Sequence, residues 1–487
     1  MSASHITNLV TVTVTPGADG YSTKIAVTGS GIIAPVSTGA AGISVAPGLT
    51  GVKIENLGVI TGGAAGYGYA HLNLLSAGIG VALNTGMLAN DGSISGGVGA
   101  NEYYFGTPGG IGVKMSGGAV LNRGTIEGGN GGAGSYIYAN AGDGGVGVQL
   151  SGGRLINQGI ITGGHGGNEP DARYVGNYGG SGGNGVDLGS SQLTNTGTIF
   201  GGAGGIGIYS DGVYGKGGDG IAMQGGTLVN RGTIGGGEGG YRSNGGDGVF
   251  IDGGTLMNAG TIAAGAAGAG NDGTAGDAVK FGSASSTLII EPGAVFDGDV
   301  AANAEKDDVL QLAGSKPSTL YGDFSAPFSG FTSAVVEKGA NWTLDYFTSL
   351  GTGTSLVDDG TLQINGQLTL SALVSGSGTL TLGAESGLLS ESTLGVAKID
   401  FAGGGSTLAV TEPASFTSTI TGFGLGDIID LSSIQTKSLS FNDGKLTLYG
   451  FQGGEVDQLK FAGSYATANF THEPDPHGGT LIGFAAT

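Results

Sequence analysis

The chain has 487 residues, 110 of them glycine, with 17 basic and 38 acidic side chains, five histidines and no cysteine. A formal net charge of −21 and a count of five arginines exclude the ordinary nucleic-acid binder, which neutralises phosphates with clustered Lys and Arg, and the lack of cysteine excludes disulfides and thiolate metal sites. Glycine at this level without the strict third-residue period of collagen would ordinarily mean disorder, but here 39% hydrophobic residues return in regular phrases and can bury a long, thin core.

Residues 1–52 hold two alternating runs, Val10-Thr11-Val12-Thr13-Val14 and Lys24-Ile25-Ala26-Val27-Thr28. They read as strands outside the repeat, and the segment is expected to cap one end of it, where unpaired backbone needs covering. Met1 to Ile6 shows no basic segment followed by an apolar run, so no N-terminal secretory signal is expected. No apolar run approaches the length of a membrane-spanning helix.

Residues 53–285 are built on one phrase, Leu-x-Asn-x-Gly-x-Ile followed by small residues, which returns seven times with its asparagine at Asn56, Asn90, Asn122, Asn157, Asn195, Asn230 and Asn258. Upstream lies a second apolar phrase, as in Gly110-Ile111-Gly112-Val113-Lys114-Met115 and Gly145-Val146-Gly147-Val148-Gln149-Leu150. Period-two alternation over so few residues predicts very short strands, and the density of glycine excludes helix. The expected fold is all-β: a right-handed parallel β-helix, or β-solenoid, of which each repeat is one coil. In such a stack the asparagines share one corner and can bond to one another as a ladder, or serve singly as turn residues.

Glycine-rich inserts of roughly 10–19 residues separate the coils and are expected along one edge of the solenoid. They carry 11 of the 16 tyrosines: Tyr67, Tyr69, Tyr103, Tyr104, Tyr136, Tyr138, Tyr174, Tyr178, Tyr209, Tyr214 and Tyr241. Tyrosine on glycine-supported loops is a common way to build an adaptable binding surface, and packing between neighbouring loops is the competing role. Asp219, Asp247 and Asp277 recur at the head of the first strand in a Gly-Asp-Gly or Gly-Asp-Ala setting. They distantly resemble the aspartates of Ca²⁺-binding β-rolls, so they are the candidate metal ligands, with turn formation as the alternative. The acidic residues Asp91, Glu127, Asp187 and Asp252 stand in different frames of the coil without clustered His, Lys or Arg, which argues against an enzyme.

Residues 286–414 alternate like the coils but lack long inserts, so a leaner continuation of the solenoid is expected; residues 415–487 form a separate C-terminal β module. Ile420-Thr421-Gly422-Phe423-Gly424-Leu425-Gly426-Asp427-Ile428-Ile429-Asp430-Leu431, followed by Leu459-Lys460-Phe461-Ala462-Gly463, carries a resemblance. Together with the Asn-x-Gly-Thr-Ile coils and Gly339-Ala340-Asn341-Trp342-Thr343-Leu344, it resembles the large secreted β-helical surface proteins of alphaproteobacteria, adhesin-like and exported by type I secretion through an uncleaved C-terminal signal. They are similar in outline to autotransporter passenger domains. The resemblance implies an extracellular or cell-surface protein of structural or adhesive function, self-associating in a surface layer, fibre or biofilm matrix.

The expected partners are a second copy of the chain, met head-to-tail or laterally, and cell-surface polysaccharide. The apolar C-terminal stretch 479–487 is read as one open end and Thr7 to Thr15 as the other. A polysaccharide-binding or polysaccharide-cleaving β-helix is the first alternative, and an intracellular filament-forming scaffold the second.

Overall fold

The computed structural model describes residues 2–66, 76–101, 105–134, 140–168, 178–206, 214–270, 272–321, 328–345, 349–350, 354–476 and 478–485. The chain is a parallel β-helix, and it divides into two compact units: Met1–Ser286 with Ala294–Ala301, and Thr287–Gly293 with Ala302–Thr487. Among the described residues the only helical pieces are two 3₁₀ turns, Pro413–Ser415 and Thr467–Asn469.

Each coil of the first unit has three short strands. In one coil they are Val113–Met115, Ala119–Asn122 and Thr125–Glu127; in the next, Val148–Leu150, Arg154–Asn157 and Ile160–Thr162. Corresponding strands pair in parallel with no shift of register, Val113 on Val148, Asn122 on Asn157 and Ile126 on Ile161. Three sheets result, called here the valine, asparagine and isoleucine sheets; the last has ten strands, from Leu9–Val10 to Val295–Asp297.

Alternation sets the core. Val113, Met115, Val120 and Ile126 are almost fully enclosed, as are their counterparts in the coils from Val81 to Ile262. Each such side chain contributes about 1.5–3 kcal/mol on burial, so stacking identical coils in register, rather than any one coil, holds the unit together. The corner between the valine and asparagine strands takes positive φ at Gly118 (φ 97°), Gly153 (φ 93°) and Gly254 (φ 96°), a conformation other residues reach only at a cost, while the coil with Ser191 at that position turns without it.

Residues 1–52, expected as an irregular cap, supply regular rungs. Lys24–Val27, Ile32–Ile33 and Ile43–Ser44 pair in register with the coil that follows, and Ser4–Ile6 and Leu9–Val10 lie one rung before them. Val27 stands where the next coil has Asn56, so an apolar residue can fill the corner when no amide column runs through it.

The second unit repeats every twenty residues or so: Trp342, Leu362, Leu380 and Ile399 stand in one column of parallel strands. The tryptophan is buried and its Nε1 donates to the Ala313 carbonyl at 2.9 Å. The unit closes with antiparallel strands. Thr480–Phe484 runs between Ile428–Leu431 and Phe470–Pro474, and Ser438–Asn442, Lys445–Tyr449 and Glu455–Phe461 form a meander. Phe423, Phe441, Phe461, Tyr465 and Phe470 pack between them with ring centroids 5.1–6.3 Å apart. The expected open edge at the C-terminal stretch is thus corrected: Thr480–Phe484 has a hydrogen-bonded neighbour on each side, because the chain reverses there and pairs with itself.

Candidate functional site

The inserts are where coils of the first unit differ, and their glycines follow a rule. Leaving the isoleucine strand, the chain reads Gly128-Gly129-Asn130-Gly131-Gly132-Ala133 in one coil and Gly163-Gly164-His165-Gly166-Gly167-Asn168 in the next; returning, it reads Gly144-Gly145-Val146 and Gly182-Gly183-Asn184. Glycines of this pattern are buried or half-buried, and the third residues are the more exposed ones, as at Asn130, His165, Asn168 and Glu238. None of Gly128, Gly129, Gly131, Gly132, Gly144 and Gly145 has positive φ, so these are not turns. A third-residue period without internal hydrogen bonds is the mark of a polyproline II-type helix, here in its polyglycine form.

The missing internal bonds are made between arms. Gly110 N donates to Gly97 O, Gly129 N to Gly110 O, Gly145 N to Gly129 O, Gly164 N to Gly145 O and Gly183 N to Gly164 O, at 2.7–2.8 Å, so outgoing and returning arms alternate along one continuous chain of bonds. Within the outgoing layer Gly131 N reaches His165 O and Gly166 N reaches Ala203 O, both at 2.9 Å; within the returning layer Gly144 N reaches Ser181 O at 2.8 Å. Packing is close both within a layer, where a Cβ on Gly129 would lie 1.9 Å from Gly97 O and one on Gly164 2.0 Å from Gly129 O, and between layers, where one on Gly128 would lie 1.9 Å from Gly145 O. The inserts, read from sequence as glycine-supported loops, are in their described parts a two-layered polyglycine stack. The signal was in the sequence, since the Gly-Gly-x period holds inside each insert although it fails over the whole chain.

The exposed third residues have a task as well. Their N–H groups face the preceding rung, where an oxygen or ring nitrogen accepts them: Asn130 Oδ1 takes the His165 N–H (2.9 Å), His165 Nδ1 the Ala203 N–H (3.1 Å) and Asp143 Oδ1 the Ser181 N–H (2.7 Å). Asp219, Asp247 and Asp277 belong to this scheme. Asn184 Oδ1 accepts the N–H of Asp219, Asp219 Oδ1 that of Asp247, and Asp247 Oδ1 that of Asp277, at 2.8–2.9 Å. Burial holds the Asp247 carboxyl above its usual range, against the bond from Asp277. Lys280 is also partly desolvated, but the Asp247 and Asp277 carboxylates prevail and raise its pKa. The three aspartates form a column of backbone acceptors flanked by Lys216 (3.5 Å from Asp219) and Lys280 (3.2 Å from Asp277). Among the described residues no three His, Asp or Glu side chains converge as a metal-ligand group.

Tyr178, Tyr214 and Tyr241 are within the described residues; Tyr67, Tyr69, Tyr103, Tyr104, Tyr136, Tyr138, Tyr174 and Tyr209 lie outside them, in the segments that join outgoing to returning arms. Tyr214 is buried and meets Tyr241 edge to face at 5.4 Å. Tyr178 (41% exposed), Tyr241 (42%) and Phe105 (46%) present their rings to solvent. Phe105, Asn140 and Tyr178 bridge one another in parallel at the start of successive returning arms.

The seven asparagines turn inward at the corner before the isoleucine strand. Each Nδ2 donates to the next Oδ1, from Asn56 to Asn90 and so on to Asn258, at 2.7–2.9 Å. All seven are buried, and their role is to hold coils in register. No protein-family model matches this chain, and no curated protein matches it in sequence.

Proposed function

We propose that the protein is a structural or adhesive β-helix acting outside the cell, at a bacterial surface or in its matrix, and that it meets its partners through the outer ends of the inserts. The observation that carries this reading is the polyglycine stack. A hydrogen-bonded frame holds successive insert arms in place, so exposed aromatic side chains at their outer ends are presented without the entropic cost of ordering a loop on binding. Eight further tyrosines belong, in sequence, to the segments that join outgoing to returning arms. The Cys-free composition and the resemblance to secreted β-helical surface proteins support the location.

A second copy of the chain and cell-surface polysaccharide are the proposed partners. Thr480–Phe484 is paired on both sides, but Phe470–Pro474 ends its sheet, so an edge strand for head-to-tail contact is present beside the surface offered for lateral association. The test is attachment of the purified full chain to bacterial cells, with light scattering of the protein alone, for the native sequence and for a variant carrying Phe105→Ser, Tyr178→Ser and Tyr241→Ser. Loss of attachment or association in a variant that melts like the native protein is the expected result. Unchanged behaviour in both assays would remove the inserts from the function, and protease protection of the protein in intact cells would remove the surface location.

A further inference from the structure

On the solvent side of the valine sheet, one column of outward residues reads Lys114, Gln149, Asp187, Ala222, Phe250, each directly opposite the next across a pair of parallel strands. A groove of about 650 Å³ opens over its first four positions, lined by Lys114, Gln149, Asn184, Asp187, Ala222 and Gln224 among others; Phe250 is not part of that lining but stands one rung beyond Ala222, past the end of the groove. That volume is in the range of small-molecule and oligosaccharide sites. Its chemistry is mixed in a particular way. The Asp187 carboxylate accepts from Asn184 Nδ2 at 2.8 Å and from the Gln149 side chain, which fixes its orientation; burial nonetheless holds its pKa above the ordinary carboxylate value. The Asp187 carboxylate bonds to Gln149 one coil away, but the backbone pairing of the strands there is complete without that bond, and a partly desolvated carboxylate held between amides in a groove is suited to receive a ligand.

Along the column, Ala222 is a gap between Asp187 and the half-buried ring of Phe250. Two strand spacings separate those residues, about 9.6 Å, which leaves room for one sugar ring. We propose that this groove is a saccharide-binding site for a neutral glycan, with a sugar ring seated over Ala222 between Asp187 and Phe250. A hydroxyl donates to the oriented Asp187 carboxylate. The amides of Gln149 and Gln224 and the Lys114 ammonium donate to hydroxyl and ring oxygens, and the C–H face of the sugar lies on Phe250. Lys114 balances Asp187 in charge, so a neutral chain fits better than an acidic one. The proposal rests on the extracellular reading above and gives it a ligand class.

Titration of the full chain with maltohexaose, cellohexaose, xylohexaose and a hexagalacturonate, followed by calorimetry and saturation-transfer NMR, tests it. At least one neutral oligosaccharide is expected to bind; Asp187→Ala weakens it about tenfold or more, as for loss of a hydrogen bond to a charged group. Ala222→Phe, which fills the gap and leaves every polar group in place, abolishes binding. Should Asp187→Ala fail to fold, Asp187→Asn carries the same expected sign. No neutral binding at about 10 mM, binding of the acidic probe alone, or binding indifferent to both substitutions overturns the proposal. The insert variant Phe105→Ser, Tyr178→Ser, Tyr241→Ser is expected to leave the titration unchanged. Attachment lost in that variant but kept in Asp187→Ala therefore leaves the adhesive reading standing even if the groove binds nothing.

Discussion

The two units use a common corner and fill it differently. In the first, Asn56 Oδ1 accepts the N–H of Gly58 at 3.1 Å, two residues on, while its Nδ2 reaches the next asparagine. In the second, Val357-Asp358-Asp359-Gly360-Thr361-Leu362 repeats the phrase with a carboxylate, and Asp358 Oδ1 accepts the N–H of Gly360 at 3.0 Å. There the likeness stops. An amide is donor and acceptor at once and can stack without limit, whereas a carboxylate only accepts, and a second one on the adjacent rung would repel it. The rung opposite Asp358 has Val336 instead, and Asp358 Oδ2 is buried with no hydrogen-bond partner. Elsewhere the second unit turns to buried serines, whose hydroxyls donate to carbonyls, Ser406 to Gly383 and Ser418 to Val396, each at 2.6 Å. A long run of identical coils rewards a self-complementary side chain; short, varied coils settle each corner locally.

Glycine shows the same division, and its substitution is expected to have the largest effect. Gly164 lies inside the polyglycine stack, where a Cβ would overlap the Gly129 carbonyl oxygen, while Gly454 in the second unit has no atom within 4 Å of an added Cβ and no positive φ. Gly164→Ala should therefore cost about 3 kcal/mol or more, the upper end of the range for overpacking that forces the backbone to move, and Gly454→Ala should stay within about 0.5 kcal/mol. Chemical denaturation of both variants, with hydrogen exchange over residues 128–184, reads the difference. Similar small losses at the two sites would mean that the arms are loosely packed.

Next in size is Asp358→Asn. Burial raises the Asp358 pKa to about 7 from 3.8, opposed by the bond from Gly360. Between those values the folded chain keeps a proton that the unfolded chain has lost, so stability falls as pH rises from about 4 to about 7 and is level above that. A shift of this size sets a ceiling of about 4 kcal/mol, and partial solvation of the ionised form brings the expected gain for Asp358→Asn to about 2 kcal/mol at pH 8. At pH 4 the substitution should be close to neutral. Denaturation midpoints of the second unit at the two pH values check this, and a variant no more stable at pH 8 than the native chain would show that Asp358 ionises without cost.

The amide column can be cut in its middle or at its end. Asn157→Ala removes bonds to Asn122 and Asn195 and leaves a buried donor on Asn122, for a loss of about 1–3 kcal/mol. Asn258 closes the column and its Nδ2 already lacks a partner, so Asn258→Ala should cost less. Equal losses would mean that each asparagine acts alone as a turn residue.

The parallel coils were legible because every repeat carries its inward Val, Leu and Ile at fixed spacing, and the asparagine corner because only one residue type recurs there seven times. The polyglycine arms were not read, although Gly-Gly-Asn-Gly-Gly and Gly-Gly-His-Gly-Gly stand in plain view. A period of three leaves no hydrophobic stripe, and its bonds join arms that are far apart in sequence. The groove at Asp187 was hidden for a related reason: Lys114, Gln149, Asp187 and Ala222 come together only once the register of four coils is known. The pairing of the C-terminal strand is not legible in the sequence, because an apolar tail looks the same whether it ends a sheet or is paired on both sides.

The smallest expected effect concerns neighbours of that asparagine column. Asn90 and Asn122 are followed by Asp91 and Arg123, so the same two coils are joined twice, once by buried amides at 2.8 Å and once by an ion pair with Nε–Oδ1 2.6 Å and Nη2–Oδ2 2.7 Å. The ion pair has the shorter and more numerous contacts, and it holds the Asp91 carboxyl below its usual pKa through the hydrogen bonds from Arg123. It also faces water, where a high dielectric and dissolved salt both weaken the attraction between the ions. Arg123→Ala should accordingly leave the melting temperature unchanged in low and high salt, while Asn122→Ala, one residue away and on the same rung, lowers it clearly. A midpoint shift for Arg123→Ala as large as that for Asn122→Ala would mean that surface charge, and not the buried column, keeps these coils in register.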